Sequence, residues 1–320
     1  MKIGKLIDRY LSANTSGGAN ETYKAYKCKL KNLVEFIGGM DVDADTITPE
    51  MIEGLKMDLT TRKTKVLGKK IVEGKLSPFT VFTTLKTIKY FFVWAYDNAL
   101  IEHNPMRGVK LPAEPKPKPK AIQSESILKM LEAAAQKGET WERARNVALI
   151  FCLADTGARV GGLASAMLED LELGNGSLMV TEKGNENRPV FLCKNTIDAL
   201  RIWLEWRSTL NLYDRTLFVN KFGTRLTRGG IEKMLRKVAD HAGVLDRSNP
   251  HAFRHAFAKQ SLQNGIDLAR LSQLMGHSSE AITARYYTQF NNRELQQAHE
   301  AFSPATKLPN VSVETPGDES

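Results

Sequence analysis

The chain has 320 residues, enough for two domains, with 42% hydrophobic and 25% charged residues and a formal net charge of +9. No run approaches the roughly 18 apolar residues of a membrane span, and the opening MKIGKLIDRYL lacks a signal-peptide core. Cys28, Cys152 and Cys193 are too far apart for a zinc pattern and odd in number, so a membrane protein or a secreted disulfide scaffold is set aside and a reducing cytoplasm expected.

The charge is uneven. Residues 1–120 carry 21 Lys and Arg against 13 Asp and Glu, and residues 121–320 carry 24 against 23. A basic N-terminal third points to a polyanion partner. A short helix over 2–12 has Ile3, Leu6, Ile7, Tyr10 and Leu11 on one side. From Asn20 to Ile37, Tyr23, Tyr26, Leu30, Leu33, Val34 and Ile37 recur at helical spacing, and Lys24, Lys27, Lys29 and Lys31 fill much of the rest. A lysine face of that kind suits a helix lying along a DNA backbone. Thr48-Pro49-Glu50 opens a third helix, to about Thr60.

Residues 62–76, with Arg62, Lys63, Lys65, Lys69, Lys70 and Lys75 around Gly68 and Gly74, read as a basic loop or short hairpin. It either touches phosphates or is simply solvated. Ser77-Pro78 starts a long helix to about Leu100, with Phe82, Leu85, Ile88, Phe91, Phe92 and Ala95 inward. A helical domain over 1–111 results. PAEPKPKPK, residues 112–120, forms neither helix nor sheet core and should be extended, reaching about 28 Å. That length can cross one face of a duplex, so that two domains close around DNA.

A second domain over 121–302 begins with helices at Ser124 and at about Glu142–Ala154, followed by DTGARVGGL, residues 155–163. Strand character runs through LELGNGSLMVT and PVFLC, with turns at Gly174-Asn175-Gly176 and at 182–188. A helix over 195–210 packs Leu200, Trp203, Leu204 and Trp206, and Leu217-Phe218-Val219 reads as a short strand. Thr227 caps a helix to about Ala242 whose Lys233, Arg236 and Lys237 suit a major groove; Arg225 and Arg228 are phosphate candidates.

The densest chemistry lies in NPHAFRHAFAKQSLQNGIDLARLSQLMGHSSEAITARYYTQF, residues 249–290. Asn249 and Pro250 start a helix, Gly265 ends it, Asp267 caps the next and Gly276 ends that one. His251 and Arg254 are three apart and share a face. His277 follows in a loop, and Tyr286 comes nine residues later. Arginine grips phosphate oxygens, histidine moves protons near neutral pH, and tyrosine can be a covalent nucleophile, so a phosphodiester is the substrate that suits the set. His251 and His255 have the spacing of a zinc protease, but Ala252 stands where its glutamate belongs.

HAFRH, LMGH and the following tyrosine resemble the H-x-x-R-H, L-G-H and nucleophilic Tyr of the tyrosine recombinase (phage integrase) family. The first box of that family, T-G-x-R-x-x-E-L, is matched by Thr156, Gly157, Arg159 and Leu163, with Gly162 in place of the glutamate. Its G-K-G-x-K-x-R turn is matched at Lys183, with Glu182 and Glu186 departing from it. Pro105, Met106 and Val109 resemble the end of a core-binding domain.

The resemblance implies a mainly α fold with a small antiparallel sheet: an all-helical core-binding domain and a mixed α/β catalytic domain, of the simple two-domain Cre/Xer-like type without an added arm-binding domain. It implies a site-specific DNA recombinase acting through a 3′-phosphotyrosine, with no metal, cofactor or ATP. The catalytic residues are then Arg159, Lys183, His251, Arg254, His277 and Tyr286, with Tyr287 a rival nucleophile and His255 a bracing group. Two other readings stand beside it, a type IB topoisomerase-like enzyme and an inactive DNA-binding regulator. The partner is double-stranded DNA, bound by a homo-oligomer that is a tetramer on DNA, with accessory or directionality proteins and a place in the cytoplasm at the nucleoid. A helix over 291–302 docks into a neighbouring protomer or onto its own domain, and the Pro-, Ser- and acid-rich residues 303–320 are expected to be disordered.

Overall fold

A computed structural model describes residues 1–14, 20–62, 64–67, 70–115, 120–182, 186–210, 212–276 and Ala284. The chain divides into two compact units, Met1–Lys116 and Pro117–Ser320, and the division falls inside the alternating Pro/Lys stretch.

In the first unit, α1 (Ile3–Asn14), α2 (Asn20–Ile37), α3 (Pro49–Thr61) and α4 (Pro78–Asp97) surround one core. Thr48 and Ser77 cap α3 and α4 by accepting from the backbone N–H groups of Met51 and Thr80, and a proline opens each helix. The apolar stripes turn inward as the periodicity requires: Leu6 of α1, Leu33 of α2, Leu55 of α3 and Phe91 of α4 are all fully buried. Each such side chain contributes about 1.5–3 kcal/mol. The basic stretch after α3 forms a two-stranded antiparallel ribbon, β1 (Thr64–Leu67) and β2 (Lys70–Glu73), so the unit is helical apart from this hairpin.

In the second unit, α6 (Thr140–Thr156) is the central helix, packed by α5 (Ser124–Gln136), α8 (Lys194–Ser208) and α10 (Pro250–Gln263). The short α7 (Val160–Ser165) lies against a three-stranded antiparallel sheet of β3 (Leu171–Glu172), β4 (Ser177–Thr181) and β5 (Asn187–Phe191), in the order β3-β4-β5. Leu178 pairs with Val190 on the buried face, while Met179 and Phe191 point to solvent. Two further helices, α9 (Arg228–His241) and α11 (Leu268–Met275), complete the described part.

Two sequence expectations change. Residues 217–219 are not a strand: Thr216 and Val219 make only isolated bridges, to Met167 and Arg225. The carbonyls a partner strand would use are taken by side chains, since Trp203 Nε1 donates to Leu217 O (2.9 Å) and Arg145 Nη1 to Val219 O (2.9 Å). Trp206, expected to pack inward with Trp203, is 39% exposed, whereas Trp203 is fully buried. Three residues along a helix is a rotation of about 300°, enough to carry the second indole to the rim of the stripe.

Candidate active site

The sequence DTGAR folds as a chain reversal in which each residue is committed. Asp155 accepts from the Cys193 backbone N–H (2.8 Å) and the Thr196 hydroxyl (2.7 Å), which ties the end of α6 to the start of α8. The Thr156 hydroxyl donates back to Cys152 O (2.7 Å) and accepts from Ala158 N–H (3.2 Å). Gly157 caps α6 in the left-handed conformation at φ +57°, where a Cβ would strike the Phe257 ring. Arg159 is then the N-cap residue of α7, and its side chain is 38% exposed.

The other half of the site is the end of α11. Asn249 caps α10 by accepting from Ala252 N–H (2.9 Å), and Asp267 caps α11 by accepting from Arg270 N–H (2.7 Å). Gly276 closes α11 in the left-handed conformation at φ +60°. Its last carbonyls receive three guanidiniums. Arg188 Nη1 donates to Leu274 O (2.7 Å), Arg254 Nη2 to Met275 O (2.6 Å), and both terminal nitrogens of Arg159 reach Gly276 O at 3.5 Å. A helix C-terminus carries partial negative charge and four unfilled acceptors, so it gathers cations. Arg254, 6% exposed, also donates through Nη1 to Gly157 O (2.5 Å) and so pins the DTGAR reversal to the α11 end.

One carboxylate lies among these arginines. The Glu182 side chain is 4% exposed and pairs with Arg159, and it accepts from Arg188 Nη2 at 2.9 Å. Its Oε1 also lies 3.3 Å from Arg159 N and 4.0 Å from Arg254 Nη1. The close approach of α7 to β4 explains how it gets there. At Gly162 a Cβ would lie 3.1 Å from Val180 Cβ and 3.4 Å from Thr181 O, so the glycine lets the end of β4 come up against the Arg159 turn. Three guanidiniums around one carboxylate leave a local excess of positive charge. Burial, ahead of every other cause, holds Arg159 and Arg188 below the usual arginine range, as expected for cations short of counter-charge in a poorly solvated place.

The histidines lie beside this cluster. His251 is exposed on the first turn of α10, and its imidazole is held below its ordinary value by desolvation first and then by Arg228 and Arg254. It is therefore neutral near pH 7 and able to accept a proton. His255 is half-buried and pushed down to about 4, by desolvation, then His251, Arg254 and Arg247. Arg228 begins α9, whose exposed Lys233, Arg236 and Lys237 form a basic face.

Of the residues singled out in the sequence, Arg159 and Arg254 are brought together at the α11 end, with His251 nearby. Lys183, His277, Tyr286 and Tyr287 lie outside the described residues, as do the expected helix over 291–302 and the tail after it. Arg225 is partly committed to structure, its Nε donating to Ala164 O at 2.8 Å. On α2, Lys24, Lys27 and Lys31 are exposed; Lys27 sits 5.5 Å from the Tyr23 ring centre and Lys31 pairs with Glu35 at 3.2 Å. Lys65 and Lys70 fall in β1 and β2, and Lys63 and Lys69 outside the described residues. Sequence reasoning missed Glu182 as a site residue and gave Arg188 no task. The available signal was an acid and a base flanking one turn, six residues apart.

The chain thus pairs a helical unit with a mixed unit, and two of the arginines singled out in the sequence meet at the end of α11. The phage integrase family model matches residues 120–294, and the phage integrase SAM-like domain matches 3–111. Tyrosine recombinase XerC of Thermodesulfovibrio yellowstonii is 29% identical over 297 residues, 91% of this chain and 93% of that protein. Tyrosine recombinase XerD of Listeria monocytogenes is 29% identical over 93% of this chain and 95% of its own, and XerC of Shewanella sp. strain ANA-3 is 30% identical over 76% and 80%. The crystal structure of XerA recombinase is similar at 26% identity and TM-score 0.52, covering 94% of this chain and 99% of that one. XerH bound to a palindromic difH substrate, at 21% identity and TM-score 0.72 over 93% and 84%, shares the fold. The chain belongs to the phage integrase family and is a tyrosine site-specific recombinase.

Proposed function

We propose that the chain cuts and rejoins double-stranded DNA at a specific site through a 3′-phosphotyrosine, with no metal ion and no ATP. The observation that carries the reading is the meeting of Arg159 and Arg254 on the last carbonyls of α11, directly ahead of His277 in the chain. Phosphodiester cleavage needs upwards of about 15–20 kcal/mol of barrier lowering. Here it comes from a cationic cradle for the charged, five-coordinate phosphorus. Arg159 and Arg254 stabilise the non-bridging oxygens and His277 adds a hydrogen bond; removing one such donor costs about 3–4 kcal/mol.

Tyr286 attacks in line. Its phenol, with an ordinary pKa of about 10, loses its proton to His251, which desolvation keeps neutral. Lys183 protonates the departing 5′-oxygen. The bond energy stays in the phosphotyrosine, so a new 5′-hydroxyl reverses the step without ATP. Recombination joins two duplexes, each cut on both strands, which calls for four protomers on DNA. The work is done in the cytoplasm at the nucleoid.

The test is a nicked suicide duplex carrying the recombination site. The native chain should give an SDS-resistant protein–DNA adduct, undiminished by EDTA. Tyr286→Phe should give none and Tyr287→Phe should retain it. A full-strength adduct from Tyr286→Phe would show that the nucleophile lies elsewhere. Relaxation of a supercoiled plasmid lacking the site would favour a topoisomerase.

A further inference from the structure

We infer that Glu182 is a positioning residue whose carboxylate locks the β4–β5 hairpin, the Arg159 turn and the end of α11 into one unit. The inference rests on reading the arginine cluster as the phosphate cradle. The bonds form a continuous path. Glu182 holds Arg159 through both the guanidinium and the backbone N–H, and it accepts from Arg188 (2.9 Å), which continues to Leu274 O (2.7 Å). Its own N–H donates to Glu186 O (2.9 Å), which brings together the two ends of the connection between β4 and β5. One side chain thus registers the residue that precedes Lys183 against the arginines and against the end of α11.

A carboxylate among arginines can instead be a plug, an anion that the DNA phosphate must displace. Burial argues against that role. The Glu182 side chain is 4% exposed while that of its partner Arg159 keeps 38%, so the carboxylate sits on the inner side of the guanidinium and leaves the outer side open. Expelling it would break its contacts to Arg159 and Arg188 together, and a charge pair broken in a buried place is strongly disfavoured. Arg188 is the relay: its Nε lies buried without a partner among the described residues, over Gly276, where a Cβ would come within 2.5 Å of it. A side chain at that position would collide with Arg188, so the glycine lets the guanidinium reach the end of α11.

The experiment uses the full chain and the suicide duplex, reading single-turnover adduct formation and DNA affinity separately. Glu182→Gln keeps the shape and removes the charge. Its cleavage rate should fall about 10- to 100-fold, as expected when reacting groups shift by a fraction of an ångström. Its DNA dissociation constant should stay within about threefold of native or tighten, because a negative charge has left a phosphate site. Arg188→Gln should show the same loss of rate, and the double variant should be no slower than the slower single one, since both break one path. A Glu182→Gln protein that cleaves as fast as native, or faster, overturns the positioning role in favour of a plug, and so do losses that multiply in the double variant. No adduct from the native chain overturns the cradle and this inference together. A native adduct with an unaffected variant overturns this inference alone.

Discussion

Gly157 shows how much a single residue can decide. It stands at φ +57°, and a Cβ there would overlap the ring of Phe257. Gly157→Ala therefore meets both a left-handed backbone penalty of about 1–2 kcal/mol and a collision with a rigid ring. We expect a loss of at least about 2 kcal/mol in urea denaturation, with cleavage falling too because Arg254 anchors on the Gly157 carbonyl. His255 sets a pH dependence. The folded protein keeps it neutral down to about 4, whereas an unperturbed imidazole takes a proton near 6.5. Between those values the unfolded chain binds the extra proton, so its contribution to stability is full above pH 6.5 and is lost as pH falls toward 4. In thermal melts from pH 7 to 4.5, His255→Gln should lose less stability than the native chain. Equal losses would mean that the carboxylates alone govern the acid limb.

At the scale of elements, helix ends do most of the placing. Caps at Thr48, Ser77, Asn249 and Asp267 fix where α3, α4, α10 and α11 begin, and each is worth about 1 kcal/mol. The end of α11 matters most, since it assembles Arg159, Arg188 and Arg254 from three different parts of the chain. α2 has another task. Its apolar stripe, with Leu30 and Leu33 buried, leaves Lys24, Lys27 and Lys31 outward. If these lysines lie along phosphates, changing all three to Gln should weaken binding to any duplex by a similar factor. The slope of log affinity against log salt should shrink by about 0.9 for each lysine that makes a contact. Titration of specific and random duplexes over a salt series reads this directly. An unchanged slope would make α2 a merely solvated face.

Over the described residues, the two larger hydrophobic cores are built from separate stretches of chain, with a small third cluster of Ala258, Leu271 and Met275 beside α11. The basic excess lies in the N-terminal unit, and the second unit is close to neutral over its length. Its affinity for an anion must therefore come from a few placed cations and not from its overall field. Much of this was legible in the sequence, because caps, helix-ending glycines and apolar stripes act over three to five residues and leave a local mark. Two stretches of motif were legible for the same reason: HAFRH sits on α10, and Leu274, Met275 and Gly276 form the end of α11. The departures were where packing outweighed pattern, as at Trp206 on the rim and at 217–219, where side chains had taken the Leu217 and Val219 carbonyls.

The sequence by itself determined the described helices and most of their ends, the two-part organisation and the motifs that mark the phage integrase family. Only the tertiary structure decided which carboxylate serves the arginines. Glu182 stands beside a turn where the family pattern has glycine, and nothing local ties it to Arg159 or to the end of α11. Its role arises because α7, with Gly162 at the contact, lets β4 approach closely enough for one buried charge to reach partners remote in the chain. Ion-pair partners are chosen by that approach and by the lack of water around it, and neither is written in residue spacing.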